Sequence, residues 1–319
     1  MTSRKILVTG ANGYVGRHLV NYLLKRSTQN TVIGVGRQTK GKVKHGRYQY
    51  MQCDLTDTHQ VKTMMQHTHF DYIFHFAGQS QSQYSKTSPF PLFHANVIQT
   101  TNLLEYVLQF QRHVIKGILV AGTAHEYELT QDLNETALNE HSTTRPVTPY
   151  GWSKLLQTQT AQMYATLYDL PIVIARTFNL FGPGDSTGVC ATLARKVVQI
   201  ETGELEPVLA LGDPSIQRDF VDVRDAIRAY WLLVRAPYDN GQIVNICRGE
   251  AISIQHLIDT LYMYAKRPFT IAVNPRYFRD NDPQVVLGRT DTLFMLTKWV
   301  PFKSVKQTIL DTLTYYRKT

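Results

Sequence analysis

Short runs of aliphatic and β-branched residues recur through the first half of the chain, separated by segments whose apolar residues return at helical spacing. Such runs are typical of strands buried on both faces of a parallel sheet. Their alternation with helices, one of them over residues 96–108, predicts an α/β fold built on a doubly wound parallel sheet. The predicted strands cover residues 5–9, 31–35, 48–53, 71–76 and 116–121.

A glycine-rich turn follows the first predicted strand and leads into a helical pattern. Gly10, Gly13 and Gly16 form the spacing G-x-x-G-x-x-G. Glycines allow a tight turn and a close approach of the backbone, and the N-terminus of the next helix attracts a pyrophosphate. An ordinary glycine turn is the alternative, but strand, turn and helix in this order are the context of a dinucleotide site. The predicted cofactor contacts here are Gly10, Asn12, Gly13, Tyr14, Val15 and Gly16.

The residues after the second predicted strand indicate which dinucleotide binds. An NAD site would have an acidic residue there to accept hydrogen bonds from the ribose hydroxyls. This chain has Gly36-Arg37-Gln38, with Lys40 and Lys42 just beyond. An arginine can hold a 2′-phosphate through charge-assisted hydrogen bonds, whereas a solvated basic loop is the alternative. We therefore expect NADP(H), with NAD(H) as the second option.

The carboxyl ends of the later strands should border the rest of the cofactor, because pocket residues of such sheets lie there. Asp54 and Leu55 follow the third strand and would border the adenine. Small residues follow the fourth strand, where the cofactor backbone would lie. The expected cofactor contacts are Phe76, Ala77, Gly78 and Gln79, and Ser80 is assigned to the substrate.

Tyr150 and Lys154 lie four residues apart in a segment that begins after Pro149. Residues at this spacing share one face of a helix. An ammonium beside a phenol favours the phenolate and lowers its pKa from the usual value of about 10, which suits acid–base catalysis at neutral pH. Tyr-x-x-x-Lys alone is a weak signal in a chain with 18 tyrosines, and a chance pair is the alternative. Thr123, after the fifth strand, would place a hydroxyl opposite Tyr150.

Composition narrows the class of protein. With 319 residues, 43% hydrophobic and 18% charged, the chain can bury a full core, so wholesale disorder is not expected. The net charge of +9 favours an anionic partner. No nucleic-acid-binding module is visible, and a dinucleotide with an anionic substrate explains the same excess. Cys53, Cys190 and Cys247 lack metal-ligand spacing, which predicts free thiols and no metal. Without a visible signal peptide or membrane-spanning run, we expect a cytoplasmic protein with no membrane partner.

Together these residues resemble the extended short-chain dehydrogenase/reductase family. The resemblance covers essentially the whole chain and rests on Gly10, Gly13, Gly16, Asp54, Leu55, Asn96, Thr123, Tyr150 and Lys154. It implies that Tyr150 is the catalytic acid or base and that Thr123 binds the reacting oxygen. It also implies that Lys154 holds the nicotinamide ribose and lowers the tyrosine pKa, and that Asn96 belongs to the cofactor site.

The second half of the chain is similar to the nucleotide-sugar branch of that family. The similarity lies in residues 176–184, 218–225, 241–249 and 274–283, although Asn274 stands where that branch usually has an aspartate. Arg195 and Lys196 would either reach a phosphate or solvate the face of a helix predicted over residues 193–200. The resemblance implies substrate contacts from Ser80, His125, Glu126, Asn179, Arg195, Lys196, Arg218, Arg279 and Asp282.

Several activities are compatible with this resemblance. It favours NADPH-dependent reduction of the C4 ketone of a GDP-4-keto-6-deoxy-hexose to a GDP-6-deoxy-hexose of the GDP-rhamnose type. A 4,6-dehydratase generally has Glu or Asp two residues after the pocket threonine, where this chain has His125. A 4-epimerase typically recycles a retained NAD, which the absence of an acid after the second strand argues against. A non-catalytic nucleotide-binding protein is a less favoured alternative.

The resemblance also predicts the organisation of the chain. We expect an NADP-binding Rossmann domain over residues 1–178, joined by elements from about residues 218–247. A discontinuous nucleotide-sugar-binding domain should occupy residues 179–319. A homodimer formed through two long helices beside the sheet is expected, and a nucleic-acid partner is not.

Overall fold

The computed structural model describes residues 4–79, 88–129, 137–277 and 282–319. Its strands follow the aliphatic runs closely in the first half of the chain. They are β1 (Arg4–Thr9), β2 (Asn30–Gly36), β3 (Tyr48–Gln52), β4 (Tyr72–His75), β5 (Gly117–Thr123), β6 (Ile172–Thr177), β7 (Asn179–Phe181), β8 (Val208–Leu211), β9 (Gln217–Asp222), β10 (Gln242–Ile246), β11 (Ala251–Ser253), β12 (Thr270–Val273) and β13 (Val285–Val286).

The helices lie mainly between these strands. A π-helical turn, His94–Ile98, joins α3 to α4, and short 3-10 turns follow β5 and β12. The helices are α1 (Tyr14–Arg26), α2 (Thr58–His67), α3 (Phe90–Phe93), α4 (Gln99–Gln111), α5 (Pro149–Tyr168), α6 (Val189–Glu201), α7 (Val223–Leu233), α8 (Ile254–Tyr264), α9 (Asp291–Thr297) and α10 (Val305–Tyr316).

Seven parallel strands form the main sheet of the described ranges, in the order β10-β6-β5-β4-β1-β2-β3. The order reverses beside β1, so the carboxyl ends of β1 and β4 open a crevice where ligands of such sheets bind. The predicted doubly wound parallel sheet is therefore confirmed. In a smaller sheet, β9 pairs with β7, β11 and β13, and β8 pairs separately with β12.

Apolar side chains from β1 point alternately into two cores on opposite faces of the main sheet. Ile6 and Val8 pack with α1 and α7, whereas Leu7 packs with α2, α4 and α5. A third core joins α6, α8 and α10 to β8 and β9. The sheet is thus covered on both faces, as the continuous aliphatic character of its strands requires.

Two predicted helix starts are wrong. The helix expected from residue 96 is preceded by α3 and the π-helical turn, and the helix expected from residue 193 begins at Val189. The segment over residues 218–225 contains the end of β9 and the start of α7, because the carboxylate of Asp222 accepts the Arg224 amide and caps the helix.

Cys53, Cys190 and Cys247 are free and buried. In the described part of the chain, no cluster of three or more His, Cys, Asp or Glu side chains is placed to hold a metal ion. Among the helices described there, none is long and apolar enough to cross a membrane.

Candidate active site

The glycine turn brings the start of α1 directly against β1. Gly10 has a φ of 66°, and a Cβ there would lie 2.9 Å from the backbone of Phe76 and Ala77. A Cβ on Gly16 would lie 2.3 Å from the carbonyl oxygen of Gly10. Both positions therefore require glycine. Within the described helix α1, the first turn has no acidic residue, so its positive end can face an anion.

A cavity of about 570 Å³, which we call the dinucleotide cavity, lies over this turn. Its walls run from the glycine turn across the ends of β2, β3 and β4, which is the extended shape that a dinucleotide needs. The predicted cofactor residues that line it are Gly10, Asn12, Gly13, Arg37, Leu55, Phe76, Ala77, Gly78 and Gln79.

Other predicted cofactor residues do not line the dinucleotide cavity. Among the described residues, these are Tyr14, Val15, Gly16, Asp54, Asn96, Tyr150 and Lys154. The ring of Tyr14 turns toward the His18 ring, with centroids 5.2 Å apart. The carboxylate of Asp54 accepts from the backbone and hydroxyl of Thr56 at 3.0 and 2.9 Å.

Asn12 fixes the basic loop after β2 against the glycine turn. Its amide nitrogen donates to Gln38 Oε1 (3.1 Å) and to the Lys40 carbonyl (2.9 Å), and its oxygen accepts from the Lys42 amide (2.8 Å). Arg37, at the start of this loop, is exposed and lines the dinucleotide cavity. The loop therefore presents a guanidinium where a 2′-phosphate would lie.

A buried chain of hydrogen bonds supports the loop after β4. The Ala77 amide donates to the Thr9 hydroxyl (3.0 Å), which lies 2.8 Å from Nδ1 of His75. Nε2 of His75 lies 2.9 Å from the Thr100 hydroxyl, which donates to the Asn96 carbonyl (2.7 Å). Because that hydroxyl is already a donor, Nε2 carries the proton and Thr9 donates to Nδ1. Burial lowers the pKa of His75 to about 3, so the ring stays neutral.

Helix α5 begins against the turn that follows β5. The Thr148 hydroxyl accepts the Gly151 amide (3.1 Å), and a Cβ on Gly151 would lie 2.4 Å from the carbonyl oxygen of His125. Tyr150 is half-buried, and its hydroxyl bonds with the side chain of Thr123. The rings of His125 and Tyr150 meet edge to face, with centroids 5.9 Å apart. The structure thus brings Thr123 and Tyr150 together as predicted.

The expected lowering of the tyrosine pKa by Lys154 is wrong. Burial raises the pKa of Tyr150 to about 12, although the bond with Thr123 opposes the shift. Burial also lowers the pKa of Lys154 to about 8. The ammonium of Lys154 donates to the Ala121 carbonyl (2.6 Å) and to Gln157 Oε1. Desolvation therefore outweighs the attraction between the two groups.

Asn96 ties the dinucleotide cavity to α5. Its Oδ1 accepts the Gln79 amide (2.8 Å), and its amide nitrogen donates to the Ser153 hydroxyl (2.9 Å). Ser153 in turn donates to the carbonyl of Tyr150 (2.8 Å). The π-helical turn that contains Asn96 is of a kind often found at functional sites. Asn96 therefore fixes the position of the loop after β4, which lines the dinucleotide cavity, relative to Tyr150 on α5.

The expected contact of Glu126 with the substrate is wrong. Glu126 is fully buried, and its carboxylate accepts from the Thr123 amide (2.7 Å), the Thr158 hydroxyl (2.9 Å) and Arg176 Nη2 (2.9 Å). Its neighbour His125 instead faces a second cavity. A buried charge needs a partner of opposite sign, and Arg176 supplies it inside the protein.

The second cavity, of about 600 Å³, lies between α6 and β9, and we call it the substrate cavity. The described first turn of α6 has no acidic residue, and its N-cap, Gly188, has no side chain to satisfy the free amides. Cationic side chains from α6 and β9 add to this positive end. The predicted substrate residues that line the cavity are His125, Asn179, Lys196, Arg218 and Asp282.

Arg218 is held in the wall of the substrate cavity by several bonds. Its Nη2 donates to Asp282 Oδ1 (2.6 Å), and its Nη1 donates to the carbonyl of Pro283 (2.9 Å). Asn179 donates to the Asp219 carbonyl (3.2 Å) from the neighbouring strand β7. These contacts join the strands of the smaller sheet beneath the cavity.

The expected substrate contact of Arg195 is wrong. Its guanidinium donates to the Tyr316 hydroxyl (3.2 Å) and lies 5.1 Å from the centre of that ring, on the side of α6 that faces α10. The next residue, Lys196, lies about 100° further round the helix and faces the cavity. Ser80 and Arg279, also predicted to bind substrate, lie outside the described residues.

Sequence reasoning missed residues that no short motif identifies. Thr187 lines both cavities, which therefore meet beside it. Its only sequence signal is its position between the Gly-Pro loop and α6. Gln157 binds Lys154, and Thr158 binds Glu126. Gln157 and Thr158 follow Lys154 by three and four residues, and this helical spacing is the sequence signal that could have identified them.

These features define a Rossmann-type α/β protein with a dinucleotide-shaped cavity, a tyrosine–lysine helix and an adjoining, positively charged second cavity. The chain belongs to the NAD dependent epimerase/dehydratase family, whose sequence profile matches residues 6–247.

Relatives with two different activities are equally similar in sequence. The GDP-6-deoxy-D-mannose reductase of Pseudomonas aeruginosa is 27% identical over 313 residues, covering 96% of this chain and 95% of the relative. The UDP-glucose 4-epimerase of Halalkalibacterium halodurans is also 27% identical, covering 96% of this chain and 93% of the relative.

Solved structures show the same fold. RMD from Pseudomonas aeruginosa complexed with NADPH has a TM-score of 0.83 at 24% identity, covering 99% of this chain and all of that chain. UDP-glucose 4-epimerase from Thermotoga maritima with UDP-glucose has a TM-score of 0.84 at 24% identity, covering 98% and 99%. Overall similarity does not separate reductase from epimerase, so the choice depends on the site.

Proposed function

We propose that this chain is an NADPH-dependent reductase that converts a GDP-4-keto-6-deoxy-hexose to a GDP-6-deoxy-hexose of the GDP-rhamnose type. The observation that carries this proposal is the bond between the Tyr150 hydroxyl and the Thr123 side chain, one helical turn from Lys154 on α5. The Tyr150 ring packs against His125, which lines the substrate cavity. Its backbone is joined through Ser153 and Asn96 to Gln79, which lines the dinucleotide cavity. A proton donor in this position suits a reaction in which a ketone oxygen gains a proton.

The dinucleotide cavity supports NADPH as the reductant. When bound, NADPH supplies the hydride for the C4 carbon. Gly10 and Gly16 leave the close approach that a pyrophosphate needs at the start of α1. Arg37 lines the cavity at the end of β2, where a carboxylate would repel the 2′-phosphate. Lys154 has a third N–H beyond those that bind Ala121 and Gln157, and it can donate to the ribose.

The proton donors and the cofactor cavity of this site favour reduction over epimerisation. Negative charge develops on O4 during reduction, and Thr123 and Tyr150 are hydroxyl donors that can be aimed at that oxygen. With a pKa of about 12, Tyr150 holds the proton that O4 must gain. A 4-epimerase typically recycles a retained NAD, whereas Arg37 lines the dinucleotide cavity where an NAD site would have an acidic residue.

Dehydration is disfavoured because the site has no available carboxylate at the expected place. His125 faces the substrate cavity where that reaction would need an acid. The adjacent carboxylate, Glu126, is fully buried and bound by Arg176. The residue that could replace the missing acid is therefore committed elsewhere.

The substrate cavity supports a nucleotide diphosphate sugar. The amides at the start of α6, together with Lys196 and Arg218, provide a positive wall for a diphosphate. The ring of His125 lines this cavity, and its centre lies 5.9 Å from the centre of the Tyr150 ring. The sugar would therefore bind at this end of the cavity, next to Tyr150. The choice of guanine as the base rests on the similarity to the GDP-6-deoxy-D-mannose reductase.

Replacing the tyrosine hydroxyl tests the proposal. Tyr150→Phe keeps the ring that packs on His125 but removes the proton donor. We expect kcat for reduction of GDP-4-keto-6-deoxy-mannose to fall about 10²–10⁴-fold, the usual contribution of a general acid, with little change in NADPH affinity. Steady-state rates from NADPH absorbance and a fluorescence titration of NADPH measure the two quantities.

Tyr168→Phe is the matched control, because it makes the same change at the other end of α5, where Tyr168 packs on Tyr164. It should keep wild-type kcat. Near-wild-type turnover by Tyr150→Phe would refute the proposed mechanism.

A further inference from the structure

We infer that Glu126 is a positioning residue for the proposed acid–base pair: its buried carboxylate ties the turn that carries Thr123 to α5, which carries Tyr150 and Lys154, and places one negative charge beside both. This inference rests on the proposed function, since it takes Tyr150 as the proton donor. It gives Glu126 a role in the geometry and protonation of the catalytic pair rather than in substrate contact.

The contacts of Glu126 join three elements beneath the catalytic residues. Oε1 accepts the Thr123 amide (2.7 Å), and Oε2 accepts the Thr158 hydroxyl of α5 (2.9 Å). Oε2 also accepts Arg176 Nε and Nη2 from β6, at 3.1 and 2.9 Å. A Cβ on Gly122 would lie 2.8 Å from Oε1, so the carboxylate fits closely against the strand. One carboxylate therefore sets the distance between the Thr123 turn and α5.

Arg176 holds the carboxylate in place without reaching either cavity. It is 1% exposed, and its guanidinium lies 4.4 Å from the centre of the Tyr127 ring. The Tyr127 hydroxyl donates to Asn245 Oδ1 (2.7 Å), which anchors the stack to β10. The pair is thus rigid and dry, and its charges act through a medium that screens them weakly.

The negative charge of Glu126 acts on both catalytic groups in the same sense. Burial is the largest influence on the pKa of Tyr150, and the charge of Glu126 adds to the rise. For Lys154, burial lowers the pKa and the charge of Glu126 opposes that fall. In the described part of the chain, the titratable or charged groups that face the pair from neighbouring elements are His125 and Glu126 after β5, His75 of β4 and Arg176 of β6.

The pH profile of reduction tests this inference. The rate requires the protonated forms of Tyr150 and Lys154, so it falls at alkaline pH as either group loses its proton. Glu126→Gln removes the charge that favours those forms, so both pKa values fall. We expect the alkaline limb of the kcat profile, measured with NADPH and keto sugar, to move down by about 0.5–1 pH unit.

Thr158→Val is the matched control, because it removes one hydrogen bond to the same carboxylate and leaves its charge. It should lower Tm and leave the alkaline limb in place. If Glu126→Gln does not fold because Arg176 is left unpaired, the double variant Glu126→Gln/Arg176→Met removes both charges. Its alkaline limb should move in the same direction by a smaller amount.

Different results would contradict the role of Glu126 and the proposed reductase function. An alkaline limb at the wild-type pH in a folded Glu126→Gln enzyme, or in the double variant where the single one does not fold, would overturn the role of Glu126. In that case Tyr150→Phe would still lower kcat by about 10²–10⁴-fold. Failure of the proposed function is seen instead as wild-type turnover by Tyr150→Phe.

Discussion

Burial decides the chemistry of single residues at this site more strongly than their sequence neighbours do. Tyr150 and Lys154 lie one helical turn apart, and from that spacing alone each should favour the charged form of the other. In the folded chain, desolvation moves both pKa values toward the neutral forms. The charge that opposes this for Lys154 comes from Glu126, which lies on another element. Only the fold reveals that contribution.

The direction in which a side chain points also could not be predicted from the sequence. Arg195 and Lys196 are adjacent and both basic, so no sequence pattern distinguishes the one that faces the cavity. The structure distinguishes the two because Arg195 donates to the hydroxyl of Tyr316 on α10, whereas Lys196 lines the substrate cavity. The pair His125 and Glu126 separates in the same way, since Arg176 takes the carboxylate into the interior.

Arg37 provides a prediction about cofactor choice. Arg37→Ala should weaken NADPH binding by roughly 1.5–3 kcal/mol, about ten- to a hundredfold, because a charge-assisted bond to the 2′-phosphate is lost. NADH lacks that phosphate, so its affinity should change little. Fluorescence titrations with both cofactors measure the difference.

Arg26→Ala is the control for this prediction, since Arg26 is an exposed basic residue at the end of α1 and is not among the described residues that line the dinucleotide cavity. Equal affinity of the wild-type protein for NADPH and NADH would contradict the assignment of Arg37.

At the scale of elements, the sequence predicted best where a strand is buried on both faces. The runs that form β1, β2 and β5 are aliphatic throughout, and their order with the helices was enough to identify the main sheet. The smaller sheets were not predicted because their strands are short and pair over long distances. Strand β8 pairs with β12 from Val208↔Thr270 to Leu211↔Val273, a pairing that local pattern does not contain.

The contact between α1 and the glycine turn gives a prediction at this scale. A Cβ on Gly16 would lie 2.3 Å from a backbone oxygen that no side-chain rotation can move. Gly16→Ala should therefore push α1 away from β1, lowering the free energy of unfolding by about 1–3 kcal/mol and weakening NADPH binding. Denaturant unfolding and a cofactor titration measure the two effects.

Gly46→Ala is the matched control, because a Cβ at that exposed position meets nothing within 4 Å. It should leave stability and NADPH affinity near their wild-type values. A Gly16→Ala protein as stable as wild type would contradict the close packing of the turn.

At the scale of the whole molecule, function depends on how two cavities share one edge of the main sheet. The dinucleotide cavity is built mainly by the ends of the first four strands and their loops, whereas the substrate cavity is built mainly by α6, β8 and β9 and by residues after β12. They meet at Thr187. Tyr150 packs against His125 of the substrate cavity and is joined through Ser153 and Asn96 to Gln79 of the dinucleotide cavity. The first cavity could be predicted from one continuous motif. The second could only be suggested by resemblance, because its walls come from residues more than a hundred positions apart.

This arrangement leads to a prediction that separates the proposed reductase from an epimerase. A reductase changes the redox state of its cofactor in every turnover, so one NADPH should be consumed for each GDP-6-deoxy-hexose formed. An epimerase restores its cofactor within each cycle and shows no net consumption. Absorbance of NADPH and chromatography of the sugar nucleotides, in the same reaction, give the ratio of cofactor oxidised to product formed.

With GDP-4-keto-6-deoxy-mannose we expect a ratio of about one. The reason is that a protonated Tyr150 next to the substrate cavity favours protonation of the ketone oxygen over removal of a proton from a hydroxyl. UDP-glucose with NAD, tested as the control, should yield no UDP-galactose. Formation of UDP-galactose, with no consumption of NADPH on the keto sugar, would identify the chain as an epimerase.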